Sequence, residues 1–433
     1  MDILQELEAR GLIYQNTDID GLRAKLLEGP VTLYCGFDPT ADSLHIGNLL
    51  LILTLRRFQL AGHRPIGLVG GATGLIGDPS GKASERILNT RDVVTGWSQR
   101  IRRQLERFLD FETSENQAIL ANNYDWTAQL NVIDFLRDIG KNFQINYMMA
   151  KDSVNNRLEK GISFTEFSYM ILQAQDFYKL RELHGCALQI GGSDQWGNIT
   201  AGIELIRRME ANKDGASSDS NDESSSGAFG LTVPLVTKSD GTKFGKTESG
   251  TIWLDKEKTS PYEFYQFWLN TDDRDVIRFL KYFTFLPLEE IDALEVTLRD
   301  APEQRVAQKK LAEEVTRLTH GKEATERAIR ISRALFGGSL LDLTGEEIAE
   351  AFGGVPATAI QSVDLSLVEL LVQTGLDTSK RQAREDIKNG AVYVNDVRVT
   401  DIETSVNQLN PLAGKYLVLR RGKKNYHLVK IEI

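Results

Sequence analysis

Strand-like and helix-like stretches alternate through the first half of the chain. Val31 to Cys35 is β-branched and apolar, and Ile46 to Gly62 follows with long, straight side chains suited to a helix. Arg64 to Gly70 reads as the next strand, Val93 to Phe111 as a helix, and Gln117 to Ala121 and Ala187 to Ile190 as two further short strands. The alternation predicts a parallel sheet with helices on its faces, a doubly wound α/β domain. From Ser260 to Leu335 the strand signals stop. Pro261 opens a helix there, and Ala307 to Leu318 spaces its apolar residues helically, so helical packing is expected. The end of the chain sets a helix over Leu367–Leu371 and a basic helix start over Ser379–Arg384 before a strand turn at Gly390–Asn395, a small α+β unit.

Three breaks divide this pattern. Lys213 to Gly227 is a polar Ser/Asp run without apolar periodicity, expected to be a disordered insertion. Gly337-Gly338 and Gly353-Gly354 mark the other two. The expected pieces are 1–247, 248–335 and 347–433, the last with its core at 366–433.

Composition narrows the class. The 433 residues are 41% hydrophobic and 26% charged, ordinary globular values that rule out wholesale disorder. The longest apolar run, Leu49 to Leu53, is far short of the ~20 residues a membrane span requires. No secretion signal is readable at Met1–Glu6, and a cytoplasmic protein is expected. Cys35 and Cys186 are the only cysteines, which excludes a disulfide framework or a four-thiolate zinc site; no metal site is expected. Net charge is −10, but residues 366–433 carry 11 Lys/Arg against 8 Asp/Glu, while the rest carries 40 against 53. An acidic body with a basic tail points to one module facing a polyanion.

Candidate chemistry lies where strands end, because ligands of doubly wound sheets bind beyond the carboxyl ends of the strands. In Cys35 to Asn48 a strand leads through Pro39 into a helix start, where free N–H groups suit phosphate; Thr40 and His45 offer donors, and Gly47 removes a side chain where a base could approach. In Gly70 to Lys82, four glycines in eight residues let backbone pass close to a ligand. That stretch resembles a P-loop but misses its spacing by one residue. Tyr169, Gln173 and Asp176 share one face of a helix expected over Phe164–Leu183, a stripe that is either solvated or in need of buried partners. Asp194 follows a strand among glycines and suits a ribose diol. Gly241 to Thr247 places Lys243 and Lys246 in a glycine-bounded cationic segment.

Together these segments resemble one family: the bacterial tyrosyl-tRNA synthetases, class I aminoacyl-tRNA synthetases. Tyr34, the Asp-Pro-Thr-Ala-Asp-Ser-Leu-His stretch from Asp38 to His45, Gly191 to Asn198 and Lys243 to Thr247 occur in the family's order, and the C-terminal part resembles an S4 RNA-binding domain. The resemblance implies a Rossmann-like catalytic domain, a helical middle domain near the anticodon side of tRNA, and an S4-like module. It also implies ATP with Mg²⁺, L-tyrosine and tRNA(Tyr) as ligands, and a homodimer. Carried over by position, Tyr34 and Asp176 would bind the substrate phenol, while Asp78, Tyr169 and Gln173 would bind its ammonium and Gln195 its carboxylate. Cys35 and Asp194 would contact the ATP ribose, with Asp38, Gly47 and Asn48 nearby. Thr40 and His45 would hold the γ-phosphate end, and Lys82, Arg86, Lys243, Lys246 and Thr247 the departing pyrophosphate. Lys380, Arg381, Arg384, Lys388, Arg420, Arg421, Lys423 and Lys424 would face RNA. The family's first signature usually has a second histidine where this chain has Asn48. Three rivals share part of the pattern: another adenylate-forming nucleotidyltransferase, a tryptophan-specific relative and a non-catalytic RNA-binding regulator.

Overall fold

The computed structural model describes residues 2–80, 88–112, 115–151, 154–155, 157, 161–213, 227–239, 244–247, 250–422 and 425–432, without the side chains of 213, 246 and 247. Most of the expected insertion, with Lys82, Arg86, Lys243, Lys423 and Lys424, therefore lies outside the described residues. The chain forms two compact units. One comprises Met1–Thr259 with Thr271–Leu311, the other Ser260–Asn270 with Ala312–Ile433. Among the described residues no helix is long and apolar enough to cross a membrane.

The first unit is built on a six-stranded sheet of β1 (Gln15–Asn16), β2 (Thr32–Phe37), β3 (Arg64–Val69), β4 (Ile119–Asn122), β5 (Cys186–Gly192) and β6 (Phe229–Val233). Their order is β1-β6-β5-β2-β3-β4. Strands β6-β5-β2-β3-β4 run parallel, and the two-residue β1 pairs antiparallel at the edge. The sequence alternation thus gives the doubly wound arrangement, with two small shifts. The helix expected over 46–62 ends at Leu60, and the one expected over 93–111 runs from Arg91, where the Thr90 side chain caps it, to Leu105. From β2 the strand order runs outward both ways, through β3 and β4 on one side and β5 and β6 on the other. The crevice of such a sheet opens between the carboxyl ends of β2 and β5. Asp38 follows β2 and Ser193 follows β5 at that opening.

Buried residues fix these elements. The Ile46–Leu60 helix buries Leu49, Leu50, Ile52, Leu53, Leu55 and Phe58. Arg57 on the same helix is buried too, in an ion pair with Glu6 at 2.8 Å, and its guanidinium donates to the Thr284 carbonyl. Burial beside Arg10 pulls its pKa down to about 9, yet Glu6 and the carbonyl keep the cation partnered. The long helix Phe164–His184 ends at Gly185, whose φ of +62° makes a left-handed cap that a side chain would strain. The helices Asp273–Phe283 and Leu288–Asp300 belong to this unit.

In the second unit the helix Pro261–Leu269 packs with Lys322–Leu335. The stretch 248–335, expected as one helical piece, thus contributes to both units. Toward the end of the chain lies a five-stranded sheet, β11-β10-β12-β13-β9, of β9 (Ala357–Ile360), β10 (Val392–Val394), β11 (Val397–Val399), β12 (Tyr416–Arg421) and β13 (Asn425–Ile431). Leu367, Leu370, Leu371, Ala383 and Ile387 from two helices share one core with Val392, Leu417 and Val429 of the sheet.

Candidate active site

Polar side chains converge at the crevice. The helix start after β2 is capped from both sides: His45 Nδ1 accepts from the Gly47 N–H at 3.0 Å, and Asn48 Oδ1 accepts from the His45 N–H at 3.1 Å. A neutral imidazole accepting at Nδ1 carries its proton on Nε2, which is then a donor. The ring lies over Gly47, where an added Cβ would come within 2.8 Å of Nδ1. The histidine ring itself therefore leaves room only for glycine there. Asn48 completes the cap through Oδ1, and its Nδ2 takes no part in it. Thr40 is exposed on the loop between.

Asp38 is held on both oxygens, accepting from Thr73 Oγ1 at 2.7 Å and from the Tyr169 hydroxyl at 2.7 Å. Gly70 approaches so closely that any side chain there would overlap the Asp38 carboxylate and Thr73. Across the crevice Asp78 accepts from Gln195 Nε2 at 2.7 Å and from the Ser80 N–H at 2.9 Å. Asp194, just after β5, is exposed; burial raises the Cys35 thiol well above its usual range, and the Asp194 charge adds to the rise.

The floor of the pocket is made by Asp176, 2% exposed. Trp126 Nε1 donates to its Oδ1 and Asn123 Nδ2 to its Oδ2, each at 2.8 Å. Burial pushes its pKa up to about 7 against the opposing pull of those two donors, and the Asp38 charge adds to the rise. Beside it Tyr34 is buried against Phe177, with ring centroids 5.3 Å apart. Among the described residues its hydroxyl has no hydrogen-bond partner, and Gln173 Oε1 is likewise buried and unpartnered. Burial and the neighbouring Asp176 charge raise the Tyr34 phenol well above its usual value, so it stays protonated and able to donate. An unmade hydrogen bond in such a place costs about 1–3 kcal/mol, which a ligand with a matching polar group recovers.

The chain matches a family model described as tRNA synthetases class I (W and Y) over residues 26–337 and one for a tyrosine–tRNA ligase C-terminal domain over residues 347–429. A Tyrosine--tRNA ligase of Bacillus caldotenax is 65% identical over 430 residues, covering 99% of this chain and all of that protein. The chain belongs to the tyrosyl-tRNA synthetases. Tyrosine--tRNA ligase 1 of Bacillus subtilis is 62% identical over 429 residues, 99% of each chain. Among solved structures, a C-terminally truncated mitochondrial tyrosyl-tRNA synthetase of Aspergillus nidulans matches 77% of this chain and 94% of its own, with 35% identity and a TM-score of 0.69. A tryptophanyl-tRNA synthetase of Encephalitozoon cuniculi shares the fold at a TM-score of 0.51 and 13% identity, over 75% of this chain and 87% of its own.

Within this synthetase, Tyr169 and Asp176 form a buried stripe, and Gln173 lies partly buried between them, so the solvated alternative is set aside. Three contributors escaped the sequence reading: Thr73, Asn123 and Trp126. Asn123 ties them together, donating to Thr73 Oγ1 at 2.8 Å and accepting from the Ala72 N–H at 2.7 Å. It directly follows β4, so the strand-end rule used elsewhere would have marked it. Lys246 and Thr247 form β7, paired with β8 (Gly250–Thr251).

The basic residues of the second unit divide into two groups. Lys380, Arg381, Arg384 and Lys388 are exposed on the Lys380–Lys388 helix, Lys380 in an ion pair with Glu369 at 2.8 Å. Arg420 instead lies 3.8 Å from the centroid of the Tyr393 ring, and Arg421 binds the buried Asp377 carboxylate at 2.7 Å. Both are committed to the sheet as well as available at its rim.

Proposed function

We propose that the crevice activates L-tyrosine with ATP and that the chain then esterifies tRNA(Tyr). The observation that carries this reading is the unpartnered, buried Tyr34 hydroxyl beside Asp176 on the pocket floor. An aromatic ring with a para hydroxyl fits between them, donating to the Asp176 carboxylate and accepting from Tyr34. Phenylalanine would leave the Tyr34 hydroxyl without a partner and bring no donor to Asp176, and rejection of that analogue is the family's own standard illustration of such a pocket. Tryptophan presents an indole N–H but no acceptor for Tyr34, which disfavours the tryptophan-specific reading. Asp78, Tyr169 and Gln173 then bind the ammonium, and Gln195, held by Asp78, turns toward the carboxylate.

In the first step a tyrosine carboxylate oxygen attacks the α-phosphorus of ATP. The bond to the bridging oxygen breaks, and pyrophosphate leaves with its electron pair. In the second, a terminal ribose hydroxyl of the tRNA attacks the tyrosyl carbonyl and AMP leaves. Neither step requires a protein nucleophile; alignment and donors placed where charge grows suffice. Cys35, kept as a neutral thiol, and Asp194 face the ribose, with Asp38, Gly47 and Asn48 near the nucleotide. His45 Nε2 and Thr40 meet the phosphate end, and Lys82, Arg86, Lys243, Lys246 and Thr247 meet the pyrophosphate. Mg²⁺ enters on the triphosphate oxygens in this reading. Residues 1–247 carry the chemistry, 248–335 lie toward the anticodon side, and 347–433 bind RNA, through the exposed 380–388 helix together with Arg420, Arg421, Lys423 and Lys424. The setting is cytoplasmic. Exchange of labelled pyrophosphate into ATP, measured with each amino acid in turn, tests the reading. Exchange is expected with tyrosine alone; exchange with none, or best with tryptophan, would overturn it.

The reading includes a homodimer. Val132, Ile133, Leu136, Ile145 and Met149 expose apolar side chains in one stretch, and Phe164 is 78% exposed. Apolar exposure of this kind marks a protein contact. Sedimentation is expected to give a dimer for the unaltered chain and a monomer for Ile133→Asp combined with Phe164→Asp. A monomer for the unaltered chain would end the proposal.

A further inference from the structure

One helix outside the crevice holds both ends of a segment that the ligase reading needs. The Asp273–Phe283 helix buries Asp275, Phe279 and Phe283, spaced four residues apart and so on one face. At one end of that face Asp275 Oδ2 accepts from both the backbone N–H and the hydroxyl of Ser239, each at 2.9 Å. Arg278, paired with Asp275, donates to the Thr237 carbonyl at 2.6 Å. At the other end the Phe244 ring stands edge-on to Phe279 at 5.1 Å and stacks on Phe283 at 5.4 Å. Ser239 and Phe244 are the described residues on either side of 240–243.

From Phe244 onward the backbone is fastened to the phosphate side of the crevice. Gly245 has a φ of +81° and is buried, and an added Cβ would meet Ile46 at 2.9 Å. Its carbonyl accepts from the Ile252 N–H at 3.0 Å, and the Ile252 carbonyl accepts from the Ile46 N–H at 3.1 Å. The Leu254 N–H donates to the Leu44 carbonyl at 2.9 Å, and Trp253 bridges to His45. Lys246 follows directly, its backbone paired with Thr251. The chain is thus fixed first by an aromatic wedge and then by backbone bonds at the residue that caps the helix start.

We propose that Phe244 and Asp275 are positioning residues, which fasten the chain before and after 240–243 to one helix face and so fix the backbone of Lys246 beside the His45 turn for pyrophosphate departure. The inference rests on the ligase reading and adds to it. A lysine that must meet charge as it develops contributes only if its backbone is already placed, and a misplacement of about 1 Å costs on the order of a hundredfold. A wedge that only supported the fold would affect tyrosine binding and turnover together.

The test uses the full chain with Phe244→Ala, Phe244→Leu, Phe279→Ala and the double variant. It measures pyrophosphate-exchange turnover and, separately, tyrosine affinity by equilibrium dialysis. Phe244→Ala is expected to lower turnover about tenfold or more while tyrosine affinity stays within about twofold. Phe244→Leu, which refills the wedge, restores most of the rate. Phe279→Ala gives part of the same defect, and adding it to Phe244→Ala costs little more, because Phe244→Ala has already removed the contact the two rings share. Unchanged turnover in Phe244→Ala overturns the proposal, as does a matching loss of tyrosine affinity or independent multiplication of the two defects. Absence of exchange in the unaltered chain would remove the ligase reading and this proposal together, whereas those results would remove the proposal alone.

Discussion

Replacing Asp176 with alanine is expected to lower kcat/KM for tyrosine in pyrophosphate exchange by about a hundredfold or more, the scale of a lost hydrogen bond to a charged group in a buried site. The substitution removes the acceptor proposed for the substrate phenol and strands the Asn123 and Trp126 donors that now meet the two carboxylate oxygens. The raised pKa adds a pH signature. The ionised carboxylate is the stronger acceptor for a phenol O–H, and burial pushes the Asp176 pKa up to about 7 in the empty pocket. As pH falls below that value the ionised fraction falls, so KM for tyrosine should climb about tenfold per unit. Asp176→Asn, which cannot titrate, should show a flat profile. The same shift has an opposite consequence for the ligand-free fold. The native carboxyl keeps a proton that the unfolded chain, with a value near 3.8, has lost. This contribution to stability is whole below that lower value and declines as pH rises to about 7. Exchange by the alanine variant at the parental rate, or a parental KM that does not change with pH while Asp176→Asn behaves identically, would remove Asp176 from the phenol site.

Deleting residues 355–433 should leave tyrosine-dependent exchange within about twofold of the full chain while lowering tRNA charging by about a thousandfold, the order of affinity that several phosphate contacts carry. The cut is placed before β9, because β9 pairs with β13 in the terminal sheet, and a cut at 366 would leave that strand without its partner. The sheet and its two helices close a core of their own, so their loss removes a self-contained piece. Charging that survives the deletion would show that the basic helix is not the RNA module. Loss of exchange would show that the terminal piece is needed for the chemistry.

The two expectations draw differently on the sequence. Asp176 stood out by its spacing from Tyr169 and Gln173, a property of one helix. The role given to its neighbours did not. Asn123 lies 53 residues away, and Trp126, 50 residues away, reads in isolation as an ordinary apolar residue. The basic tail was legible as charge, but Arg421 looked like its neighbours until the fold placed it on the buried Asp377.

The amino-acid order alone made β2, β3, β4 and β5 legible with the helices between them, though not β1 or β6, and it marked the candidate residues that follow strand ends. Those signals are periodicities and caps within a few residues, and a chain cannot form its ladder or turn without them. It also determined the family, through motifs whose residues are individually unremarkable. Only the tertiary structure decided that Thr73 and Tyr169 both hold Asp38, and that Tyr34 has no hydrogen-bond partner among the described residues while it stands beside a carboxylate. Only the fold, likewise, set Ser239 and Phe244 on one face of a helix more than thirty residues further on. These are pairings across long loops, fixed when the parallel strands take their order, and no local pattern encodes which distant side chain will arrive. The chemistry is written in short segments, and the packing of the sheet brings them within a hydrogen bond of one another.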